Sequence, residues 1–572
     1  MQQYFDAQMR LLTQAGKQFA QHYPEHAGML NIDALKDRDP HIERLLEGMA
    51  YLTAHTQKRL DESVPEVSEQ VLRQLCPILL SYYPSTTVVK FSPKLAMQKS
   101  HNIEKGLKLK TDNSAVDHKN ITFTTTHDLT VAPFDVEHVR YQESHLGAEL
   151  RIGLRFVCQG ERKNYDLSNL QFYLRGDTPL CSSLFKLLQT AEKHAELDFG
   201  PAHFEHNKKL KVKGCSATYL NINGAFLPNA EQSHPGYALL LDYFNAKDRF
   251  HFLTFNGLKD VEFADNIDRF EIVFRGSSKL PPGHQLSREN LLINCVPAIN
   301  LFTQAAEPIR IEPNRTDYMI TADQNRTDHI FSYTVDSVKG RNSLSGKTYN
   351  YTPRYQSVFE DEKKLFTVLT KDVGAAAPTH YLQLPFNLND EKETLSVDLT
   401  VFNAGWPRQL LQEGDLNIGG RDMPSIAEVE NVIRPTNYLS CPQQPKHWQL
   451  ISLLNVKFSQ ITQVTELKRL LVLFDWSQKA ENRMRIESIQ KITATPISQI
   501  KRGIFIKGVD VLIDIDESKF VCDADLYHFC NMLHQFFLMY APINESVQTR
   551  VNAIPSFKTW CWDIEPGKSY QL

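Results

Sequence analysis

The sequence predicts an α+β protein of several modules: an N-terminal helical region, then β-rich sandwich- or barrel-like modules, then a mixed α/β C-terminal region. Three observations carry this reading. The chain has 572 residues, beyond the ~250–300 at which a single hydrophobic core stops growing. Apolar residues recur every three to four positions through the first 85 residues, the spacing of one helix face. From about residue 86 the period drops to two, and after about residue 430 both periods occur. The expected divisions are 1–85, 86–275, 276–430 and 431–572.

In the helical region, Phe5, Met9, Leu12, Phe19 and Tyr23 form the first stripe, closed by Pro24 and Gly28. A second helix starts at Asp39-Pro40. Asp39 can cap, and proline costs nothing in the first turn, where its missing N–H has no partner anyway. Ile42, Leu45, Leu46, Met49 and Leu52 follow as one apolar face, with His41 and Arg44 among them. Gly48 interrupts this helix. Glycine there costs roughly 1 kcal/mol against alanine, which suggests a close helix crossing. Val67, Val71, Leu75 and Ile78 make a third stripe that ends around Pro77 and Pro84.

Strands then follow at Thr87–Phe91, Ile121–Thr125, Leu150–Phe156, Leu170–Leu174, Phe270–Phe274 and Leu395–Phe402. Gly160–Asn164, Pro281-Pro282-Gly283 and Asn387–Glu391 separate them as turns. A short helix is expected over Ser182–His194. In the last region, helix is expected from Trp448 and across Glu466–Phe474, an alternating strand over Val509–Asp516, and an apolar helix over Leu526–Tyr540.

Composition narrows the function. Lys and Arg number 63 against 67 Asp and Glu, so no basic stripe points to a nucleic acid. Lys208–Lys213 alternates with apolar residues and reads as one solvated strand face. Nine scattered cysteines contain no C-x-x-C pair, which fits reduced thiols rather than a disulfide framework or zinc ribbon. No secretory signal and no ~18-residue apolar span is visible. A cytoplasmic protein without membrane insertion is expected.

Catalytic and ligand motifs are near misses. Gly340-Arg341-Asn342-Ser343-Leu344-Ser345-Gly346-Lys347-Thr348 places five residues between its first glycine and the Gly-Lys-Thr. A phosphate loop needs four, then a helix. A polar surface loop is therefore the preferred reading, and a nucleotide-dependent or hydrolytic enzyme using Lys347 and Thr348 the alternative. His22/His26 and His203/His206 lack a third convergent ligand. Asp514, Asp516 and Glu517 lack a calcium-loop frame and read as a solvated face or partner salt bridge. Tyr349, Tyr351 and Tyr355 are candidate sugar platforms in a carbohydrate-binding reading. No cofactor and no metal is expected.

An ordered set of segments resembles one family. It runs Asp39–Gly48, Leu60-Asp61, Pro65-Glu66 and Cys76–Ser85, then Ile121–Thr125, Leu241–Phe244 with Arg249-Phe250, and Asn294–Phe302. Glu307-Pro308-Ile309, Val335–Val338, Arg434-Pro435-Thr436, Arg502-Gly503-Ile504, Asp516-Glu517 and Phe536–Tyr540 follow. Together these resemble the TssF (VasA/ImpG) family of the type VI secretion baseplate across essentially the whole chain. Two segments depart from the family pattern, Asn403–Pro407 and Leu241-Asp242. The resemblance implies a non-enzymatic wedge subunit. Such a subunit pairs with a second copy of itself and with TssG, surrounds the VgrG spike, recruits TssK, and seeds tube and sheath assembly at the inner-membrane complex. The leading helices, with Phe5, Met9, Leu12, Phe19, Asp39, Pro40, His41, Ile42, Arg44, Leu45, Leu46, Gly48, Met49 and Leu52, are the expected interface.

Overall fold

A computed structural model describes residues 5–6, 8–13, 15, 41, 44–55, 71–73, 75–111, 121–145, 147–190, 195–199, 210–220, 224–227, 234–259, 261–265, 267–312, 315–323, 329–343, 345–354, 364–371, 379–385, 393–419, 427–440, 450–452, 456–501 and 504–568. The chain divides into two compact units. One comprises Met1–Gln74 with Lys446–Ser452, and the other Leu75–Pro445 with Leu453–Leu572.

The first unit is helical wherever it is described. Thr13 and Thr53 each turn a hydroxyl back onto a carbonyl one turn earlier, Met9 and Met49, at 2.7 Å. This is how threonine tolerates a helix interior.

The second unit is built on sheets. A six-stranded sheet runs in the order Ile418–Gly419, Lys108–Lys110, Thr122–Thr125, Cys295–Ile299, Thr86–Pro93, Ala427–Asn431. Its central strand, Cys295–Ile299, is buried along its length, so it carries no alternation in its sequence. This sheet takes strands from both sides of residue 275, and so does the four-stranded sheet in which Leu291–Ile293 pairs Leu170–Leu174. A division at 275/276 therefore runs through shared hydrogen-bond ladders. Pairing between strands about 200 residues apart leaves no local trace in a sequence.

A five-stranded antiparallel sheet ends at Phe134–Ser144, and an eight-stranded one is centred on Glu393–Phe402 and Phe331–Asn342. Two register shifts in that last pair fall at Tyr333 and at Asp336. There the Asp336 carboxylate accepts from Thr334 and Thr400 hydroxyls at 2.8 Å.

Near the C-terminus, Ile504–Asp516 and Ser546–Ile554 run parallel, joined through the helix Asp523–Tyr540. That helix is buried on nearly every side. It packs on Thr178–Thr190 and Pro235–Asn245 as well as on its own sheet. A helix enclosed in this way is apolar all round, which is the pattern the sequence showed. The helix expected at Ser182–His194 starts four residues earlier, at Thr178.

Candidate protein–protein interface

In the helix over residues 44–55, Ala50 and Ala54 are completely buried and Leu46 half-buried. The larger apolar residues face outward. Leu45 is 69% exposed, Met49 51% and Leu52 67%. Their spacing of four and three puts them on one stripe, about 150° around the helix from the alanine face. The predicted apolar face is therefore two faces, with small residues turned inward and large ones left in water. Composition alone ranks Leu and Met above Ala, so the sequence suggested the opposite assignment.

His41, Arg44 and Gly48 are also exposed, while Phe5, Met9 and Leu12 are half-buried. Phe19, Asp39, Pro40 and Ile42 lie outside the described residues, as do His22, His26, His203 and His206. A side chain added at Gly48 meets no described atom within 4 Å. The glycine thus opens no close crossing among the described residues of its own chain. Two exposed apolar residues were missed from the sequence, Leu11 and Tyr51. Each sits one position off the counted stripe.

Several of the later segments that carried the family resemblance lie at buried joints. The Asn300 amide donates to the Thr122 carbonyl at 2.7 Å and to Asn403 Oδ1 at 2.9 Å, and its oxygen accepts from Asn403 N–H at 2.7 Å. Asn294, at φ 57°, exchanges two hydrogen bonds with the backbone of Ala132, at 2.7 and 2.9 Å. Asn tolerates that left-handed backbone better than most residues. Thr436 Oγ1 accepts from Thr86 N–H at 2.9 Å. Asp242 pairs with Arg249, both nearly waterless, and accepts the Tyr83 hydroxyl at 2.8 Å. Burial pulls the Arg249 guanidinium down to about 9, which leaves it protonated and bound to Asp242 at neutral pH.

A second buried charge cluster joins three segments. Asp525 accepts from Arg485 through both oxygens at 3.0–3.2 Å, and from Lys247 at 3.1 Å. Burial raises the Asp525 carboxyl, but Lys247 and Arg485 outweigh it, and its pKa is lowered. Beside this cluster, burial and then the Lys247 charge hold His251 well below its ordinary value and His528 at about 3.

The sign of the pH dependence follows. An imidazole whose folded pKa lies below its unfolded value, near 6.5, gives stability that is complete above about pH 6.5 and is lost as pH falls toward the folded value. Asp525 adds a loss below its unfolded pKa, near 4. Thermal stability is expected to decline below about pH 6.5, each histidine contributing up to about 1.4 kcal/mol per pH unit. His528→Phe keeps the ring contact with Phe185, at 4.6 Å between centroids. Scans of melting temperature against pH should show a shallower acid limb in this variant, and an unchanged limb refutes the assignment.

The near-miss motifs resolve as structure. Gly340–Thr348 spans a β-hairpin turn: Phe331–Asn342 ends there and Thr348–Pro353 begins the return strand. Asn342 N–H donates to Lys347 O, and Gly346 N–H to Asn342 O, both at 3.0 Å. Gly340 leaves room for the Tyr351 ring laid against it. The Tyr351 hydroxyl donates to Glu393 at 2.7 Å, and Lys364 sits 4.3 Å over Tyr349. These two tyrosines are half-buried inside their module, and Tyr355 lies outside the described residues. Asp514, Asp516 and Glu517 are half-buried, and the hydrogen bonds of Asp516 and Glu517 lie at the surface. They accept from Asn552, Ser518 and Ser556 respectively. No group of His, Cys, Asp and Glu among the described residues could hold a metal. No helix among them is long and apolar enough to cross a membrane.

The fold and surface define a large multi-sheet scaffold whose buried charges are used in internal joints and whose outstanding exposed feature is an apolar helix stripe. The chain belongs to the TssF family: the family model "Type VI secretion system, TssF" matches residues 1–569. A type VI secretion system component TssF1 of Pseudomonas aeruginosa PAO1 is 23% identical over all of this chain and 99% of that protein. In solved structures, the fold matches a chain of a TssK-TssF-TssG baseplate subcomplex seen by cryo-electron microscopy. The TM-score is 0.79 at 24% identity, covering 93% of this chain and 99% of that one. A chain of a type VI baseplate complex matches with a TM-score of 0.63 at 24% identity, over 100% and 99%.

Proposed function

We propose that this chain is a non-catalytic wedge subunit of the type VI baseplate, assembling through its leading helices with a TssG-type subunit and a second copy of itself. The observation that carries the reading is the stripe of Leu45, Met49 and Leu52, left in water on a helix that buries alanines instead. Exposed apolar side chains at heptad-like spacing are what a helix contributes to a bundle shared between chains. Family membership supplies the kind of assembly. The finer roles follow from that family: positioning around the VgrG spike, recruitment of TssK, seeding of tube and sheath, and action on the cytoplasmic side of the inner-membrane complex.

Gly48 supplies the test. It lies beside the exposed stripe, and no described atom lies within 4 Å of a side chain added there, which supports a close crossing with another chain. Gly48→Leu is expected to leave the melting temperature equal or higher, because leucine favours a helix by up to about 1 kcal/mol over glycine. Co-purification with the TssG-type subunit should fall at least about fivefold, as overpacking a tight crossing costs about 1–3 kcal/mol. Normal co-purification of Gly48→Leu refutes the shared crossing.

A further inference from the structure

The C-terminal sheet has an open outer edge among the described residues. Its outermost strand, Ile489–Lys501, pairs antiparallel with Ile504–Asp516 over its whole length, out to Lys501 opposite Ile504. The next strand, Ser546–Ile554, begins only at Gly508. Beyond that point Ile497–Lys501 and Ile504–Lys507 pair only with each other among the described residues. They form a two-stranded arm reaching about 14 Å past the sheet, at ~3.4 Å per residue. Gly508 marks its root. A Cβ there would lie 2.1 Å from the Ser546 carbonyl oxygen, so only glycine lets the arm leave the sheet that closely.

A two-stranded ribbon is marginal in water on its own, and an open edge is a template for another strand. Up to the root the outer edge is guarded. Lys491 is exposed, and exposed Pro496 has no N–H to offer. Past Pro496 the edge strand holds one further lysine, Lys501 at its tip, and no further proline, while the sequence supplies Ile497, Ile500, Ile504, Phe505 and Ile506. These are strong strand formers placed where the described residues of their own chain offer no third strand. The same segment carries Lys501, Arg502 and Lys507 and no carboxylate. Like charge opposes pairing with the same arm of a second copy, and favours an acidic partner.

We propose that the edge of Ile497–Lys501 accepts an extended, acidic strand from a neighbouring subunit of the assembly, extending the C-terminal sheet across a subunit boundary. This rests on the assembly role argued above. The arm and the leading helices are separate in sequence, so the two readings fail separately.

The experiment is hydrogen exchange on the full chain, alone and in complex with co-expressed TssG- and TssK-type subunits. Amides of residues 497–501 should exchange at least about tenfold more slowly in the complex. That protection should weaken when salt is raised from about 0.1 M to about 1 M, as screening tightens around the charges. Lys501→Glu with Lys507→Glu leaves the strand formers in place and should remove the protection without altering the free chain's melting temperature. A complex that forms with the arm exchanging as in the free chain overturns the proposal and leaves the assembly role standing. Failure of the wild-type chain to form any complex overturns the assembly role. Protection that rises with the concentration of the chain alone identifies self-pairing and overturns the acidic-partner assignment.

Discussion

Replacing Leu45, Met49 and Leu52 together by glutamate is expected to abolish co-purification with a TssG-type subunit while leaving the isolated chain folded. The three side chains are 51–69% exposed, so little burial within the chain is lost. Fully burying one such side chain is worth about 1.5–3 kcal/mol, and half to two-thirds of that is still available to a partner. Three residues therefore supply roughly 3–5 kcal/mol, or about two to four orders of magnitude in affinity. Introducing buried carboxylates adds a desolvation cost on top. A pull-down titration alongside a thermal melt reads both quantities. Retained affinity within about threefold would show that the stripe is an incidental surface. Loss of the folded state would show that it packs within its own chain.

The largest stability effect is expected at Asp525. Its side chain is 1% exposed and meets the 2% exposed Arg485 at 3.0 Å, with Lys247 3.1 Å away. Asp525→Ala leaves two cations without their counter-charge in a buried site. Breaking a buried pair from one side costs about 3–5 kcal/mol. Removing all three charges, as in Lys247→Met/Arg485→Met/Asp525→Leu, avoids that penalty and is expected to come much closer to neutral. Denaturant midpoints for the three proteins decide the matter, and a loss under about 1 kcal/mol in Asp525→Ala would sink the assignment. The difference matters for the fold because the residues come from three places: the segment after Pro235–Asn245, the helix Ala480–Glu487, and the first turn of Asp523–Tyr540.

Local periodicity carried a good deal. The alternation in Val509–Asp516 lies within the strand Ile504–Asp516, and the apolar run Leu526–Tyr540 within the helix Asp523–Tyr540. The five-residue spacing in Gly340–Thr348 argued against a phosphate loop, and the segment is a hairpin turn. The ordered matches pointed to the TssF family, to which the chain belongs. Other readings needed neighbours that the sequence does not display. Asp514 and Asp516 alternate as a solvated face would, yet Asn552 and Ser518 occupy them. Asp242 and Arg249 read as part of an aromatic segment and are a buried ion pair.

The sequence by itself determined the kinds of element, their order and the family, because side-chain period and turn chemistry are local properties of a chain. Tertiary structure alone decided which strands share a ladder across residue 275, which charges meet in the interior, and which face of the second helix is buried. Those outcomes depend on free energy gained between residues tens to hundreds of positions apart, and an apolar stripe looks the same in sequence whether its own chain covers it or not. Only with Ala50 and Ala54 seen buried do Leu45, Met49 and Leu52 stand out as an exposed apolar stripe.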